Sequence, residues 1–285
     1  MYDAGLVLEG GGMKGVYTAG VLDFFAEKGL MFSRVYGVSA GACHMCSYLS
    51  GQIGRARDVS MDYLDNWRYC SFKSLLLTGD LFNVDMCYHV IPEYLYPFDH
   101  ETYGKYAGKA FSVATNIVTG EAEYLQVKDL KKDMDLVRAS ASLPLVSRNV
   151  RIGNKLYLDG GLSDSIPIKK SIMDGNRKNV VILTKEEGYM KEPAGSLQMA
   201  LIKARYLKYP KVYELMKNRH MAYNETLSYL YRQKENNVAY VIRPKYAGKV
   251  GRIEKNKENL MAFYRQGYEE ASGHYESLLE YLGKE

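Results

Sequence analysis

Three short blocks of this chain carry residue types suited to acyl-transfer chemistry. Gly37-Val38-Ser39-Ala40-Gly41 is a G-x-S-x-G at the junction of an apolar run and a small-residue segment with helical spacing. In that context a serine sits on a sharp turn with its hydroxyl exposed, although a serine that only caps the helix fits the same string. A helix opening at Ser39 also brings free N–H groups and a positive dipole end to the hydroxyl, favouring negative charge there. Gly10-Gly11-Gly12-Met13-Lys14-Gly15 follows the first apolar run. Consecutive glycines let successive amides point into one concavity, which makes an anion site. Gly10, Gly12 and Gly15 also satisfy the dinucleotide pattern G-x-G-x-x-G. That reading expects an acidic residue at the end of the next strand, where this chain has Val38-Ser39-Ala40.

A serine hydroxyl needs a base within hydrogen-bonding reach. The histidines are His44, His89, His100, His220 and His274, and none stands in a turn after an apolar strand. Asp159 does, between the apolar run 155–158 and Gly160-Gly161. A carboxylate there can take the serine proton and return it to the leaving alcohol; an isolated Asp-Gly pair is otherwise a plain turn. Three rivals stay open: a Ser-His-Asp hydrolase using His220 or His274, a non-catalytic lipid- or anion-binding protein, and a dinucleotide enzyme. Cys43 and Cys46 form a C-x-x-C inside the helix after Ser39, with Cys70 and Cys87 making no second pair, so they read as small buried residues rather than a zinc site.

Taken in order, the three blocks resemble the bacterial patatin-like phospholipase family. The likeness spans about 5–183 and includes Ala139-Ser140-Ala141-Ser142-Leu143-Pro144, similar to the small-residue block ahead of that family's aspartate. The resemblance implies an α/β three-layer sandwich around a mainly parallel sheet. It implies Ser39 as nucleophile, Asp159 as base without histidine, and Gly11 and Gly12 as oxyanion donors. Lys14 takes the basic position of the glycine block, where its charge would hold the loop or the oxyanion. The substrate implied is a lipid or lipid-like ester, with no metal or organic cofactor. Ser165 precedes Ile166-Pro167, where the family often has Asn just before the proline.

The elements that must position these residues follow from patterning. Apolar runs at 6–8, 34–38, 111–115, 123–127, 155–158 and 180–183 read as strands, and 16–25, 40–49 and 136–141 as helices, an α/β layout. Over 54–96 the spacing is helical, with Met61, Leu64 and Trp67 on one face and an apolar patch at Leu75-Leu76-Leu77; this is either a cap over the site or a structural insertion. Residues 1–184 form the expected catalytic core. Residues 185–285 form a mainly helical part packed on the same domain, with helices at 197–209, 211–233 and 256–282 and a strand at 238–243. Tyr206, Tyr209, Tyr213 and Tyr223 in it suit a lipid–water boundary or a half-buried helical surface.

Hydrophobic residues at 47% and charged residues at 25% fit a soluble globular chain. The net charge of +5 is scattered, so no nucleic-acid partner is expected. No run reaches the roughly 18 apolar residues that span a bilayer, so any membrane contact would be peripheral. Without a basic leader and apolar core after Met1 the expected location is cytoplasmic, and the 4 cysteines do not resemble a disulfide framework. Head group, acyl length and oligomeric state are unmarked.

Overall fold

The computed structural model describes residues 1–248 and 250–283. The chain begins with two strand–helix units: β1 (Tyr2–Leu8), α1 (Val16–Glu27), β2 (Phe32–Val38) and α2 (Ala40–Leu49). An insertion follows, with α3 (Arg55–Asp62), α4 (Phe72–Thr78), a wide π-type helix over Met86–Leu95 and α5 (His100–Gly104). Then come β3 (Lys109–Asn116), β4 (Ala122–Gln126), α6 (Met134–Ser140), β5 (Val150–Ile152), β6 (Lys155–Asp159), α7 (Ile168–Met173) and β7 (Asn179–Ile182). The C-terminal part supplies α8 (Ser196–Arg205), α9 (Pro210–Glu235), β8 (Ala239–Ile242), α10 (Lys257–Gly273) and α11 (Tyr275–Leu282).

Among the described residues 8 strands form one sheet in the order β5-β6-β3-β2-β1-β7-β8, with β4 also on β3. The pairs β1·β2, β1·β7, β2·β3 and β7·β8 are parallel; β3·β4, β3·β6 and β5·β6 are antiparallel. The central strands are buried on both faces, which is why β1 reads as a continuous apolar run. Leu6 and Leu8 face a core shared with α1, α2 and α10, whereas Val7 faces a second core with Leu227 and Leu230 of α9. Alternate side chains thus feed the two helical layers, and the three-layer α/β expectation holds.

The C-terminal part is built into this core. β8 extends the sheet beside β7, and α10 crosses α1 so closely that a Cβ at Gly20 would lie 2.1 Å from the Tyr264 carbonyl oxygen. Among the described residues no helix is long and apolar enough to cross a membrane.

The patterning misleads at several places. The expected helix over 256–282 is two helices, α10 ending at Gly273, which weakens its last turn, and α11 starting at Tyr275, with His274 between them hydrogen-bonded to Tyr240. The helix expected over 197–209 ends at Arg205. In the insertion Met61 and Leu64 are buried, but α3 stops at Asp62 and Trp67 is 39% exposed, so the three do not share a helical face. Leu76 and Leu77 are exposed on α4. Tyr206 and Tyr223 are buried core residues.

Candidate active site

Ser39 and Asp159 meet because two strands end head-on along one edge of β3. β2 runs parallel to β3 as far as Val38 opposite Val113. β4 occupies the other edge, pairing with Phe111 through Thr115. β6 therefore shares the β2 edge, arriving antiparallel with Asp159 opposite Ala114. β6 stops at Asp159, and β2 stops one residue before Ser39.

Ser39 has φ 54° and ψ −122°, outside the regions a side-chain-bearing residue prefers. Its N–H donates to Ser140 Oγ at 2.8 Å, and its carbonyl accepts from the amides of Ala42 and Cys43 as α2 begins. Asp159 is equally fixed. Its N–H donates to the Ser142 carbonyl at 2.8 Å, its carbonyl accepts from Thr115 Oγ1 at 2.8 Å, and its Oδ1 accepts from the Gly161 amide at 2.7 Å. One small-residue stretch thus clamps both partners, Ser140 holding the serine and Ser142 the aspartate.

The second carboxylate oxygen, Asp159 Oδ2, is buried and among the described residues has no formed hydrogen bond. Burial pushes this carboxyl above its ordinary range. The Ser39 hydroxyl, Arg219, the Gly161 amide and Arg252 oppose that shift. The hydroxyl is thus close enough to favour the ionised carboxylate without closing the bond, a common condition of catalytic pairs in free enzymes.

The glycine block lies directly against the serine: a Cβ on Gly10 would sit 2.8 Å from Ser39 Cβ. Gly11 and Gly12 line a cavity with Ser39 and Asp159, and among the described residues their amides make no hydrogen bond. Gly12 needs to be glycine, with φ +58° and a carbonyl oxygen of Arg252 2.5 Å from where a Cβ would be. The Met13 amide donates to that same carbonyl at 3.0 Å, so the chain around 252 roofs the loop. Lys14 is half-buried among Glu186, Glu9 and Arg252, with its pKa lowered by burial, and lines neither cavity at Ser39.

Ser39 borders two cavities of opposite character. One, of about 150 Å³, is mainly apolar; Met13, Val16 and Cys43 line it from the core, and Val59, Phe82 and Ile91 from the insertion. The 54–96 segment is therefore a wall of this cavity. The other, of about 40 Å³, holds Asp159, Glu9, Lys185, Lys191 and Arg219. Glu9 accepts from the Thr184 amide and Tyr223 OH, and Thr184 Oγ1 lies within reach of both Glu9 and the Gly10 carbonyl.

Neither His220 nor His274 lines a cavity at Ser39. His274 bonds Tyr240 at the end of α10, and His220 borders a neighbouring groove that shares Lys191, Arg219 and Arg252 with the charged cavity but reaches neither Ser39 nor Asp159. His44 lines the apolar cavity with its pKa pushed down to about 4 by burial, and among the described residues it makes no side-chain hydrogen bond. A Ser-His-Asp arrangement through His220 or His274 is thus not assembled. The cysteines are free thiols, and among the described residues no three His, Cys, Asp or Glu side chains converge to hold a metal ion. Sequence reading missed the roles of Ser140 and Ser142, although it singled out their block. It missed Lys185, Lys191 and Arg219 altogether, since no motif marks them.

The chain is 32% identical over 183 residues to the uncharacterized protein YjjU of Escherichia coli, a match covering 63% of this chain and 51% of that protein. It is 26% identical to a probable lipid hydrolase, 463L, of Invertebrate iridescent virus 6, covering 61% of this chain and 65% of the relative. The match thus spans between half and two thirds of these relatives' lengths. The crystal structure of VipD from Legionella pneumophila shares the fold at a TM-score of 0.54 and 16% identity, over 97% of this chain and 67% of that one. Residues 209–283 match a family described as a domain of unknown function (DUF6363). Residues 6–171, more than half of the chain and including Gly11, Ser39 and Asp159, match the patatin-like phospholipase family model, and the protein belongs to that family.

Proposed function

We propose that this protein is a lipid acyl hydrolase that cleaves carboxylic esters through an acyl-enzyme on Ser39, with Asp159 as the only base. The observation that carries the reading is the unpartnered Asp159 Oδ2, buried beside a strained serine. Family membership and the lipid hydrolase name of the viral relative support the substrate class.

Ser39 Oγ attacks the ester carbonyl carbon as its proton passes to Asp159 Oδ2. The oxyanion formed is met by the free amides of Gly11 and Gly12. Collapse breaks the bond to the alcohol, which leaves with the proton from Asp159, and the acyl chain stays on Ser39 with its tail in the apolar cavity. Water then gives its proton to Asp159 and attacks the acyl carbon. The fatty acid departs as Ser39 recovers the proton. Lys14 adds positive charge behind the glycine loop.

The test is intact-mass measurement after exposure to a fluorophosphonate ester. One adduct is expected on wild type, none on Ser39→Ala and little on Asp159→Asn. An unmodified wild type, or equal labelling of Ser39→Ala, rejects the assignment and favours a non-catalytic lipid-binding protein.

A further inference from the structure

Helix α9 buries Val212, Met216, Tyr223, Leu227 and Leu230, a single apolar stripe. Arg219 falls inside that stripe, three residues after Met216 and four before Tyr223. Val212 and Met216 pack with Leu158 and Leu162, the residues on either side of Asp159-Gly160-Gly161. The stripe therefore lies on the turn that carries Asp159. A guanidinium set there is unfavourable unless polar groups answer it. Among the described residues no carboxylate forms an ion pair with it.

What answers it is Gly161. Arg219 Nε donates to the Gly161 carbonyl at 2.5 Å, and Ser165 Oγ donates to the same oxygen at 2.8 Å. The amide of that glycine donates to Asp159 Oδ1 at 2.7 Å. One residue thus joins the helix, through its carbonyl, to the carboxylate, through its N–H. A Cβ on Gly161 would lie 3.0 Å from Arg219 Nη2 and 2.9 Å from Asp159 Oδ1, so the guanidinium stands beside the carboxylate without pairing with it. Burial pushes the Asp159 carboxyl up and the Arg219 guanidinium down, and each group's charge opposes the shift of the other. Other charged or titratable groups face Asp159: Glu9 at the end of β1, Cys43 on α2, Lys185 and Lys191 after β7, Tyr223 on α9, and Arg252 before α10. Lys185 Nζ donates to Thr184 Oγ1 at 3.3 Å, and Lys191 rests 4.6 Å above the Tyr223 ring. Among the described residues Arg219 is the one cation of this set with a hydrogen bond to the Asp159 turn.

We infer that Arg219 is a positioning residue for Asp159: from α9 it pins the Gly161 turn, so that Oδ1 stays bound to the Gly161 amide and Oδ2 is left for the Ser39 proton. The inference rests on the acyl-enzyme reading and deepens it. It gives the region of unknown function, which begins after the patatin-like part of the chain ends, a share in the reaction. Arg219 acts through Gly161 and through its charge. The hydrogen bond fixes where the carboxylate points, and the fixed positive charge beside it favours the ionised form that accepts a proton.

The test is the rate of fluorophosphonate labelling of Ser39 as a function of pH, followed by intact mass in wild type, Arg219→Met, Arg219→Gln and Arg219→Lys, with urea titration to show that each is folded. In Arg219→Met the plateau rate is expected to fall about tenfold to a hundredfold, the worth of one hydrogen bond to a charged group. The midpoint at which labelling rises with pH should move to higher pH, because the carboxylate has lost an opposite charge. Arg219→Gln keeps a neutral N–H donor; it should lose less of the rate and shift the midpoint in the same direction. Arg219→Lys keeps the charge and should return the midpoint towards wild type. A role in helix packing alone would lower stability and leave the midpoint unmoved. A wild-type midpoint in folded Arg219→Met and Arg219→Gln overturns the inference whatever the rates, and so does an Arg219→Lys midpoint displaced as far as theirs. If Arg219→Met does not fold, Arg219→Gln against Arg219→Lys decides by the same criterion. A wild type that takes no label at any pH means that the acyl-enzyme reading itself has failed; labelled Ser39 with unchanged profiles in the variants defeats the role of Arg219 alone.

Discussion

Replacing Ser140 with Ala tests whether the serine turn is held in its working geometry by one side chain. Ser140 is fully buried, and its Oγ accepts the Ser39 amide at 2.8 Å. Removing it leaves a buried N–H without a partner, at a cost of about 1–3 kcal/mol. The Ser39 backbone conformation costs about 1–3 kcal/mol in its own right, so the lost anchor is comparable to the strain it opposes. Part of the loss should appear as reduced stability and part as relaxation of the turn. If about 1.4–2.7 kcal/mol falls on the reacting geometry, labelling of Ser39 slows about tenfold to a hundredfold. The assay is the fluorophosphonate labelling rate, followed by intact mass at a temperature where urea titration shows the variant fully folded. Its pH profile should keep the wild-type midpoint, since Asp159 retains its bonds to Ser142, Thr115 and Gly161. A folded variant that labels at the wild-type rate, with only its stability lowered, would falsify the claim that Ser140 positions the nucleophile.

Three further outcomes are expected. Asp159→Asn should leave little labelling yet stabilise the fold. Burial raises the carboxyl above 3.8, so the folded protein holds this proton longer than the unfolded chain and wild type loses stability as pH rises through the folded value. The variant's advantage in urea titrations should therefore be absent below about pH 4 and grow above it, in the range where wild-type labelling speeds up; a variant equally unstable at every pH would contradict this. Asp23, which accepts from Tyr264 OH at 2.7 Å and the Gly54 amide at 3.0 Å, is pushed up to about 6 by burial. Asp23→Asn should gain on wild type by up to about 3 kcal/mol between pH 4 and pH 7 and no further beyond it, and a difference that does not change with pH would remove Asp23 from the account. Val59→Trp, set in the wall of the apolar cavity, should shift preference among p-nitrophenyl esters towards shorter chains; an unchanged chain-length profile would place the acyl chain elsewhere.

What could be read from sequence depended on how strongly the backbone constrains residue type. The glycine loop was legible because Gly12 has a left-handed φ and no room for a Cβ, and Ser39 because the turn it sits on is flanked by residues that must be small. Asp159 stood out as a carboxylate at a strand end with glycines behind it. Lys185, Lys191 and Arg219 impose no such demand. A lysine resting on a tyrosine ring inside a cavity looks, as a letter in a sequence, like any surface lysine. The insertion misled in a related way. Amphipathic spacing records that one face is apolar, not whether it meets a solid core or lines a cavity. β5, with 3 residues, is too short to show a period at all.

The strand arrangement that brings Ser39 and Asp159 together was beyond pattern reading for a deeper reason. An apolar run announces a strand but carries no sign of its neighbour or direction. A wholly parallel sheet would also bring Ser39 and Asp159 to one end, with the two strands running side by side. Here β6 arrives reversed on the edge that β2 has just vacated, so Val38 and Asp159 face successive residues of β3, Val113 and Ala114. The spacing of the two ends is then set by a single step along β3, about 3.3 Å, rather than by the packing of two loops. That makes β3 the ruler of the site although it contributes no reacting group. A one-residue insertion between Val113 and Ala114 would lengthen that step and turn the following side chains to the opposite face, separating Asp159 from Ser39 while every residue of the three motifs remained in place.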